Sequence, residues 1–505
     1  MCDAYVDIIN DFVFQRKDEF LRPRRPLRSR VAPRAGLWLA RIAAWCACVA
    51  LAACSTPGGQ WRDSVDVPGK WKGSSQAGGA LDTAALKEWW KRFGDSTLDE
   101  LIAKAMASSP DIKTAISKVA QSRGERSVQL AGLLPSVTGN TSDRIQRRDE
   151  QSTGLVTRSE TYNLSLDMTW EVDLFGRQMQ NLSAATKDVQ QTIDNYYAAQ
   201  VTLTGDVASA YITYRAAQTR LDVLRRNIET RRETTEITRW QQEAGVSDTL
   251  ELQQAVSTLE QARAAIPSLE QTISETKNQL AVLCGQTPGA LDRLLDRPGR
   301  IPRVPARIAV GIPADALNNR PDVRAAVNGV LAAYYRKTAA ELERFPTINL
   351  DGSLGLEALR TGTIFSPEAA ARTLAGSLIA SLAQPIFEGG AITANIHINE
   401  ELAKQAVYSY QSTVLTALSE VEDALVATRK TAERLETLRK ADAAAQEASQ
   451  LATQQYQAGE VELLTVLETQ RTQLSVEEER VNTEADQVKS YVQLYKSLGG
   501  GWEPL

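Results

Sequence analysis

Residues 161–173 read TYNLSLDMTWEVD, and apolar and polar side chains alternate strictly along them. A period of two predicts a β-strand, and one face of it carries Tyr162, Leu164, Leu166, Met168, Trp170 and Val172. A tilted strand needs about 9–11 residues to cross a bilayer. The segment is long enough for that, and the pattern favours a transmembrane strand with apolar side chains toward lipid and polar ones toward a wet lumen.

Three further strands are predicted from the same pattern. Residues 136–144 are the expected partner strand, across a polar outer loop at 145–160. Weaker alternation predicts two more strands over about 346–356 and 373–386. Four strands cannot close a barrel, and an open edge in lipid leaves backbone groups without partners. Closure therefore requires several chains, and a trimer with about twelve strands is the simplest solution.

The two strand pairs belong to an internal duplication. SPDI (109–112) is echoed by RPDV (320–323), LPSV (134–137) by FPTI (345–348), and AG (244–245) by AG (458–459). Each copy reads helix, strand pair, long helix, sharp turn, helix. The chain is therefore predicted to hold a first structural repeat over 81–290 and a second over 291–505.

Each repeat also contains an unusually long predicted helix. Residues 178–243 and 391–457 contain no proline, and a helix of roughly 65 residues is close to 100 Å long at ~1.5 Å per residue. Shorter helices are predicted over about 249–284 and 462–498. The last of these repeats an apolar or aromatic side chain every seven residues, as in a coiled coil, at Leu467, Leu474, Val481, Val488 and Tyr495. The predicted fold class is mainly α, with a β-barrel part.

The first 53 residues resemble a signal peptide. Arginines precede an apolar run at 42–53, and the sequence LAAC at 51–54 resembles a bacterial lipobox with Cys54 as the lipidated residue. Acidic residues before the basic region are atypical of a signal peptide and favour a start nearer Val31. Residues 54–80, which are rich in Gly, Pro, Ser and Gln, are predicted to be the lipidated N-terminal tether.

Composition argues against several other classes of protein. Removing residues 1–53 takes away nine basic and five acidic side chains and leaves a net charge of −9, which argues against nucleic acid as a partner. His397 is the single histidine, so a Ser-His-Asp triad would have to be built on it, and no recognisable motif surrounds it. No Gly-rich nucleotide-binding loop with Lys-Ser/Thr occurs either. Cys284 is the one cysteine beyond Cys54, which leaves too few ligands for a metal site. We expect no enzyme, no metal and no cofactor besides the covalent lipid on Cys54.

Several stretches together resemble the TolC-like outer-membrane factors of bacterial tripartite efflux pumps, in the lipoprotein branch of the NodT/OprM type. They are the LAAC lipobox, WWKRFGD (89–95), WEVDLFG (170–176), NRPDV (319–323), QPIF (384–387) and the ending LYKSLGGGW (494–502). The resemblance covers essentially all of 54–505. It implies a homotrimer whose outer-membrane β-barrel of about twelve strands continues into a periplasmic α-helical barrel. The implied partners are a periplasmic adaptor (membrane fusion) protein and an inner-membrane transporter of the resistance-nodulation-division class.

The resemblance also places a closable entrance at the two glycine turns, at the far end of the helical barrel. Gly245 and Gly459 are the expected hinges, because glycine permits the left-handed step that reverses one helix into the next. Tyr456, Glu468 and Arg471 match the family pattern around the second turn. Glu468 and Arg471 stand about one helical turn apart and can pair within or between subunits.

The first turn departs from the second. Counting on from each glycine, Glu251 falls opposite Thr465, and Gln254 falls opposite Glu468. Glu251 is nevertheless a candidate entrance residue, because carboxylates from three copies would favour cations in a narrow pore. A solvated helix face is the alternative interpretation for Glu251, Glu468 and Arg471.

The expected function is passive conduction of small molecules through the outer membrane, from an adaptor and pump to the outside. Two alternatives remain. One is the exit duct of a protein-secretion system, which shares the fold. The other is a trimeric coiled-coil lipoprotein that spaces the envelope, for which two strand pairs with polar faces have no use.

Overall fold

Helices and strands follow one another in the same order in the two structural repeats, which are called the first and second rounds below. The structure, a computed structural model, describes residues 61–62, 65–72, 86–150, 155–305, 311, 313–361 and 371–504. The predicted signal peptide at 1–53 and the lipid-bearing Cys54 lie outside these residues.

The first round begins with a short 3-10 helix, Trp89–Phe93. Its helices are α1 Ser96–Ser108, α2 Pro110–Ala131, α3 Arg177–Glu243, α4 Thr249–Ala264, α5 Ile266–Leu283 and α6 Asp292–Leu295. Its strands are β1 Ser136–Glu150 and β2 Leu155–Val172. The helices of the second round are α7 Pro313–Asn319, α8 Pro321–Leu342, α9 Ala391–Gln457 and α10 Leu463–Ser497, and its strands are β3 Thr347–Thr361 and β4 Ala371–Ala383.

The four strands form one antiparallel sheet in the order β1-β2-β3-β4. The predicted apolar face lies on one side of it. Leu164 and Leu166 of β2, Leu354 of β3 and Leu378 of β4 are each 56 to 73% exposed. A face of large apolar side chains left open to solvent in a single chain is a surface for lipid or for another protein.

The opposite face of the sheet is polar and hydrogen-bonded. The Asp167 carboxylate accepts hydrogen bonds from Asn140 Nδ2 at 2.6 Å, Ser165 Oγ at 2.9 Å and Ser353 Oγ at 2.7 Å. These bonds join β1, β2 and β3. The strict alternation in the sequence therefore separates an apolar face from a polar one, as predicted.

The strands differ from the prediction at their outer ends. The predicted outer loop at 145–160 is wrong for most of its length, because β1 and β2 stay paired from Ile145↔Glu160 to Glu150↔Leu155. Strand pairing is made by backbone groups, so a polar hairpin can continue where the apolar alternation has ended. The fourth strand ends at Ala383 rather than near 386. Pro385 has no N–H to donate to a neighbouring strand.

The predicted single helix over 249–284 is also wrong, because it is two helices. The chain breaks at Ala265, and α5 begins there with Pro267 in its first turn. A proline inside a helix removes one hydrogen bond and clashes with the carbonyl four residues earlier. The matching helix of the second round, α10, has no proline and runs unbroken for 35 residues.

The long helices match their predicted extents to within one residue, and α3 and α9 have 67 residues each. The predicted seven-residue seam of α10 is buried: Val481, Val488 and Tyr495 are at most 2% exposed. This confirms coiled-coil packing of the kind that the spacing indicates. No helix within the described ranges is long and apolar enough to cross a membrane.

The main core lies where the short helices meet the middle of α3 and the end of α10. Trp89 is fully buried and stacks on Tyr495, with ring centroids 5.3 Å apart. The N–H of Gly501 donates to the carbonyl of Leu86 at 2.9 Å. The glycine-rich end of the chain therefore packs against the WWKRFGD segment, so two of the motifs noted in the sequence lie in contact in the fold.

The described part of the N-terminal tether runs along α9. Trp61 packs edge-on against Tyr410, with centroids 5.2 Å apart. Trp71 donates from its indole N–H to the carbonyl of Gly311 at 3.1 Å. Both tryptophans are buried. This part of the tether is therefore held against the helices.

Candidate functional site at the helix turns

Both glycine turns reverse the chain in the left-handed conformation. Gly245 follows α3, Gly459 follows α9, and φ is 76° at each. A residue with a Cβ atom is strained at this angle. No atom lies within 4 Å of the position that a Cβ would take at either turn. Backbone conformation, rather than lack of space, therefore requires glycine here.

The two turns close with the same hydrogen bonds. The N–H of each glycine donates to the carbonyl three residues earlier, at 3.0 Å in both turns. The N–H of the next residue, Val246 or Glu460, donates to the carbonyl five residues earlier, at 2.8 Å in both. This is the Schellman arrangement, which satisfies the last carbonyls of a helix. The duplication in the sequence is thus a duplication of geometry.

Glu251 is engaged within its own turn. The Asp248 carboxylate accepts a hydrogen bond from the N–H of Glu251 at 2.9 Å and so caps α4. The Glu251 carboxylate accepts a short hydrogen bond from Ser247 Oγ. An acidic cap followed three residues later by Glu is a helix-start signal, and that signal could have identified Asp248. The second turn differs, because its capping residue Glu462 makes no such side-chain bond.

Tyr456 is a core residue of the tip. It is 5% exposed and packs among apolar side chains of α4, α9 and α10, including Ala255, Leu463 and Val466. Its hydroxyl lies 3.1 Å from Thr238 Oγ1 of α3. Burial raises the pKa of Tyr456, the hydrogen bond to Thr238 lowers it, and the nearby Glu251 carboxylate raises it further. Tyr456 therefore joins the end of α9 to α3.

A second buried polar contact, which was not predicted, joins α10 to α3 one helical turn before Thr238, the partner of Tyr456. Gln470 of α10 is fully buried and donates from Nε2 to Thr234 Oγ1 at 2.9 Å. Its carbonyl oxygen has no hydrogen-bond partner among the residues that the structure describes. Gln470 stands three residues after Leu467, which is a core position of the heptad frame. A heptad has two core positions three residues apart, so applying the heptad pattern to both positions would have predicted that Gln470 is buried.

Glu468 and Arg471 form an exposed ion pair at 2.7 Å. Their side chains are 52% and 74% exposed, and a surface pair of this kind contributes little stability by itself. Both lie along a groove of about 670 Å³ between α4 and α10, which we call the α4–α10 groove. Gln254 lines the same groove. The structure thus brings Glu468, Arg471 and Gln254 together and places Tyr456 in the core beside them.

The remaining candidates for chemistry are isolated. His397 is exposed on α9, with its Nδ1 3.8 Å from Glu400. Cys284 is fully buried, and burial raises the pKa of its thiol to about 11. Within the described ranges, no group of three or more His, Cys, Asp or Glu side chains could hold a metal ion.

Known proteins match nearly the whole chain. The family described as outer membrane efflux protein matches residues 101–286 and 312–500. The probable efflux pump outer membrane protein TtgC of Pseudomonas putida is 30% identical over 434 residues, which is 84% of this chain and 87% of that protein. Nodulation protein T of Rhizobium leguminosarum bv. viciae is 29% identical over 435 residues, covering 85% of this chain and 87% of the relative.

Solved structures of outer-membrane channels have the same fold as this chain. The outer-membrane channel OprN superposes with a TM-score of 0.79 at 30% identity, covering 89% of this chain and 98% of OprN. The open state of the MtrE outer membrane channel of Neisseria gonorrhoeae gives a TM-score of 0.75 at 26% identity, covering 86% and 96%. The resemblance seen in the sequence motifs is confirmed over both repeats: the chain belongs to the outer membrane efflux protein family.

Proposed function

We propose that this chain forms the outer-membrane exit duct of a tripartite efflux pump and conducts small molecules passively to the outside. The observation that carries the proposal is an open sheet joined to two very long helices. Strands β1 and β4 end the sheet, and within the described strands neither has a second partner. An open edge is not stable in lipid. Three copies that pair β1 with a neighbour's β4 would give a closed barrel of about twelve strands.

The two faces of the sheet suit such a barrel. The exposed leucines of β2, β3 and β4 would face lipid, and the polar face around Asp167 would line a water-filled lumen. No catalytic step is part of the proposal. The duct would be driven by a partner pump.

The tether supports a lipid anchor on Cys54. Six residues lie between Cys54 and Trp61, and the seven steps from one to the other span at most ~25 Å. Trp61 packs on Tyr410, which lies 19 residues into α9, or about 28 Å from the start of that helix. A lipid on Cys54 would thus be joined by a short segment to a part of the chain that is held on α9.

The tips are proposed as the entrance. Helices of 67 residues carry the turns roughly 100 Å from the sheet, across the periplasm. There they would meet a periplasmic adaptor and, through it, an inner-membrane transporter of the resistance-nodulation-division class. The efflux-pump names of the relatives support these partners.

Opening is proposed to separate the α9–α10 tip from the α3–α4 tip. Two buried hydrogen bonds hold them together, Tyr456 to Thr238 and Gln470 to Thr234. Each hydrogen bond contributes about 0.5–1.5 kcal/mol, and the apolar cluster around Tyr456 and the ion pairs between α3 and α10 add to that, so opening would draw on binding energy from a partner. Gly245 and Gly459 would act as hinges. Carboxylates of Glu251 and Glu468 from three copies would favour cations.

Single-channel conductance in planar bilayers tests the proposal. The purified trimer would be compared with Glu468→Ala/Arg471→Ala and with Tyr456→Phe. Small, cation-selective openings that become larger or more frequent in either variant support a duct gated at the tips. A matched control is Lys430→Ala/Glu433→Ala, which removes an equally exposed pair three residues apart on α9. Absence of conductance from a folded trimer would contradict the duct and favour the envelope spacer.

A further inference from the structure

A cavity of about 540 Å³ lies between the described part of the N-terminal tether and the helices. Side chains of the tether and of α3, α7, α8 and α9 line it, and we call it the tether cavity. Its volume is in the range of small-molecule sites in proteins. None of the described residues that line it belongs to a glycine turn, so it is separate from the tips.

The larger part of the lining is apolar or aromatic. Val67 of the tether, Ile193 of α3, Leu317 of α7, Val327 of α8 and Val414 of α9 all contribute to it. Leu317 and Val414 also belong to one buried apolar cluster, against which Val67 packs. A hydrocarbon chain placed on this wall would leave water, at a gain of about 25 cal/mol for each Å² buried.

Two arginines line the same cavity, and each stacks on a tryptophan. The guanidinium carbon of Arg62 lies 5.4 Å from the ring centroid of Trp61, and that of Arg324 lies 5.2 Å from the ring centroid of Trp502. Stacking covers the face of a guanidinium and leaves the N–H groups at its edge available to an acceptor. Within the described residues, Arg62 meets no carboxylate, and Arg324 pairs through Nη2 alone with Asp194 at 2.8 Å.

The charged side chains of the lining do not cancel. They are Arg62, Arg324 and Asp194, and two positive groups with one negative group give a net charge of +1. Asp194 is 3% exposed and also accepts a hydrogen bond from Asn328 Nδ2 at 2.9 Å. It therefore holds Arg324 in place but leaves Arg62 uncompensated. The chain beyond residue 53 carries a net charge of −9, so a positive cavity is a local exception.

The internal duplication does not repeat the buried pair. The start of α9 follows that of α3 by 214 residues, and the start of α8 follows that of α2 by 211. The positions that match Asp194 and Arg324 are therefore Tyr408 and Lys113. Burying an ion pair is costly, and the helical framework of the other repeat exists without one. Packing alone thus does not account for the pair.

We propose that the tether cavity binds an anionic amphiphile, a carboxylate or phosphate group joined to a hydrocarbon chain. The anionic group accepts charge-assisted hydrogen bonds from Arg62 and Arg324, and the chain lies on the apolar wall. Asp194 is a positioning residue, because it acts through Arg324. A bound ligand touches both the tether and α8, so it fastens the one to the other. A cationic amphiphile would leave the positive charge of the cavity uncompensated.

The test uses the full-length trimer in phosphatidylcholine nanodiscs, with empty nanodiscs as the blank. Isothermal titration calorimetry compares decanoate and decyl phosphate with decyltrimethylammonium, which has the same chain and the opposite charge, and with acetate, which has no chain. Both anionic amphiphiles should bind at least 10-fold more tightly than either of the other two probes. Arg62→Gln and Arg324→Gln should each weaken decanoate binding roughly 10-fold to 100-fold. The matched control is Arg225→Gln, an exposed arginine of α3 outside the cavity, which should leave binding unchanged.

Arg62→Gln decides the test if Arg324→Gln fails to fold, because Arg62 is exposed and leaves no buried acid behind. Equal affinity for decanoate and decyltrimethylammonium, or decanoate binding that Arg62→Gln does not weaken, would overturn the proposal.

The natural source of the ligand is found by mass spectrometry of lipids extracted from trimers purified from membranes. A phospholipid or a free fatty acid should be present in the wild type and depleted in Arg62→Gln, and equal contents would contradict the proposal. None of these measurements depends on conductance. A trimer that conducts but does not bind decanoate would refute this inference and leave the proposed function intact.

Discussion

At the scale of single residues, two buried polar side chains, Tyr456 and Gln470, bond to α3 near the tips. Gln470 of α10 is fully buried at the helix interface, and among the described residues its carbonyl oxygen has no hydrogen-bond partner. A polar residue at such a position specifies helix register at a cost in stability. Because burying this polar side chain costs stability, the contact between Gln470 and Thr234 of α3 is weak enough to break when a gate opens.

Gln470→Leu should therefore stabilise the closed tip. We expect the free energy of unfolding to rise by up to about 1 kcal/mol, with fewer channel openings. Gln470→Ala should lower it by about 2 kcal/mol, because it leaves a cavity. Thermal unfolding followed by circular dichroism and bilayer recordings measure the two effects. If the leucine variant loses as much stability as the alanine variant, the side-chain amide is a structural necessity and not a gate contact.

The turn glycines give a prediction with an internal control. Gly459→Ala should destabilise the chain by about 1–2 kcal/mol, since its φ of 76° is left-handed. Gly124 lies exposed in the middle of α2 with open space around it. Gly124→Ala should instead stabilise by about 0.5–1 kcal/mol. Opposite shifts in melting temperature are expected, and shifts of the same sign would mean that the turn tolerates a Cβ.

At the scale of elements, the contact between α3 and α8 contains a buried acid. Asp194 is 3% exposed, pairs with Arg324 at 2.8 Å and accepts a hydrogen bond from Asn328 at 2.9 Å. Burial raises the pKa of Asp194 and outweighs the lowering by Arg324 and Asn328. The folded chain therefore takes up this proton at a higher pH than the unfolded chain does, and the contribution of Asp194 to stability falls as pH rises through its folded pKa.

Asp194→Asn should remove that pH dependence. On acidification from neutral pH through the raised pKa of Asp194, the wild type should gain stability from this site, whereas the variant should not. Other carboxyls titrate in both proteins, so the quantity to compare is the difference between their melting temperatures at each pH. A difference that stays constant with pH would mean that burial and the ion pair with Arg324 cancel, and a wild type that loses stability relative to the variant on acidification would show that the ion pair dominates.

The sheet gives a second prediction at this scale. Leu378 is exposed on the apolar face near the middle of β4, and its neighbour Ser377 faces the other way. Leu378→Arg should cost about 2–4 kcal/mol if that face contacts lipid near the bilayer midplane. Ser377→Arg should be tolerated, because the lumen is wet. The yield of trimer in the outer-membrane fraction measures both, and equal yields would contradict the assignment of the two faces.

At the scale of the whole molecule, the sheet needs other copies of the chain for closure. Asn140 of β1 and Ala375, Ser377 and Ile379 of β4 lie on the polar face. Asn140→Cys combined in turn with cysteine at 375, 377 or 379 should give covalent dimers and trimers after oxidation, at whichever position the register brings close. Asn140→Cys with Ser353→Cys is the control, because β3 is already paired on both edges. Crosslinks from none of the three pairs would exclude closure by β1 and β4.

The sequence by itself determined the two repeats, the long helices, the lipid-facing alternation and the positions of both glycine turns. These follow from local causes: a period of two or seven, the absence of proline, and the need for glycine at a left-handed residue. Tertiary structure decided the rest. Only the folded chain shows that Tyr456 is buried against Thr238 and that the strand hairpin continues through the polar segment at 145–160. It also shows that the buried Asp194 of α3 pairs with Arg324 of α8. Burial and charge compensation depend on which helices pack together, and no local pattern contains that information.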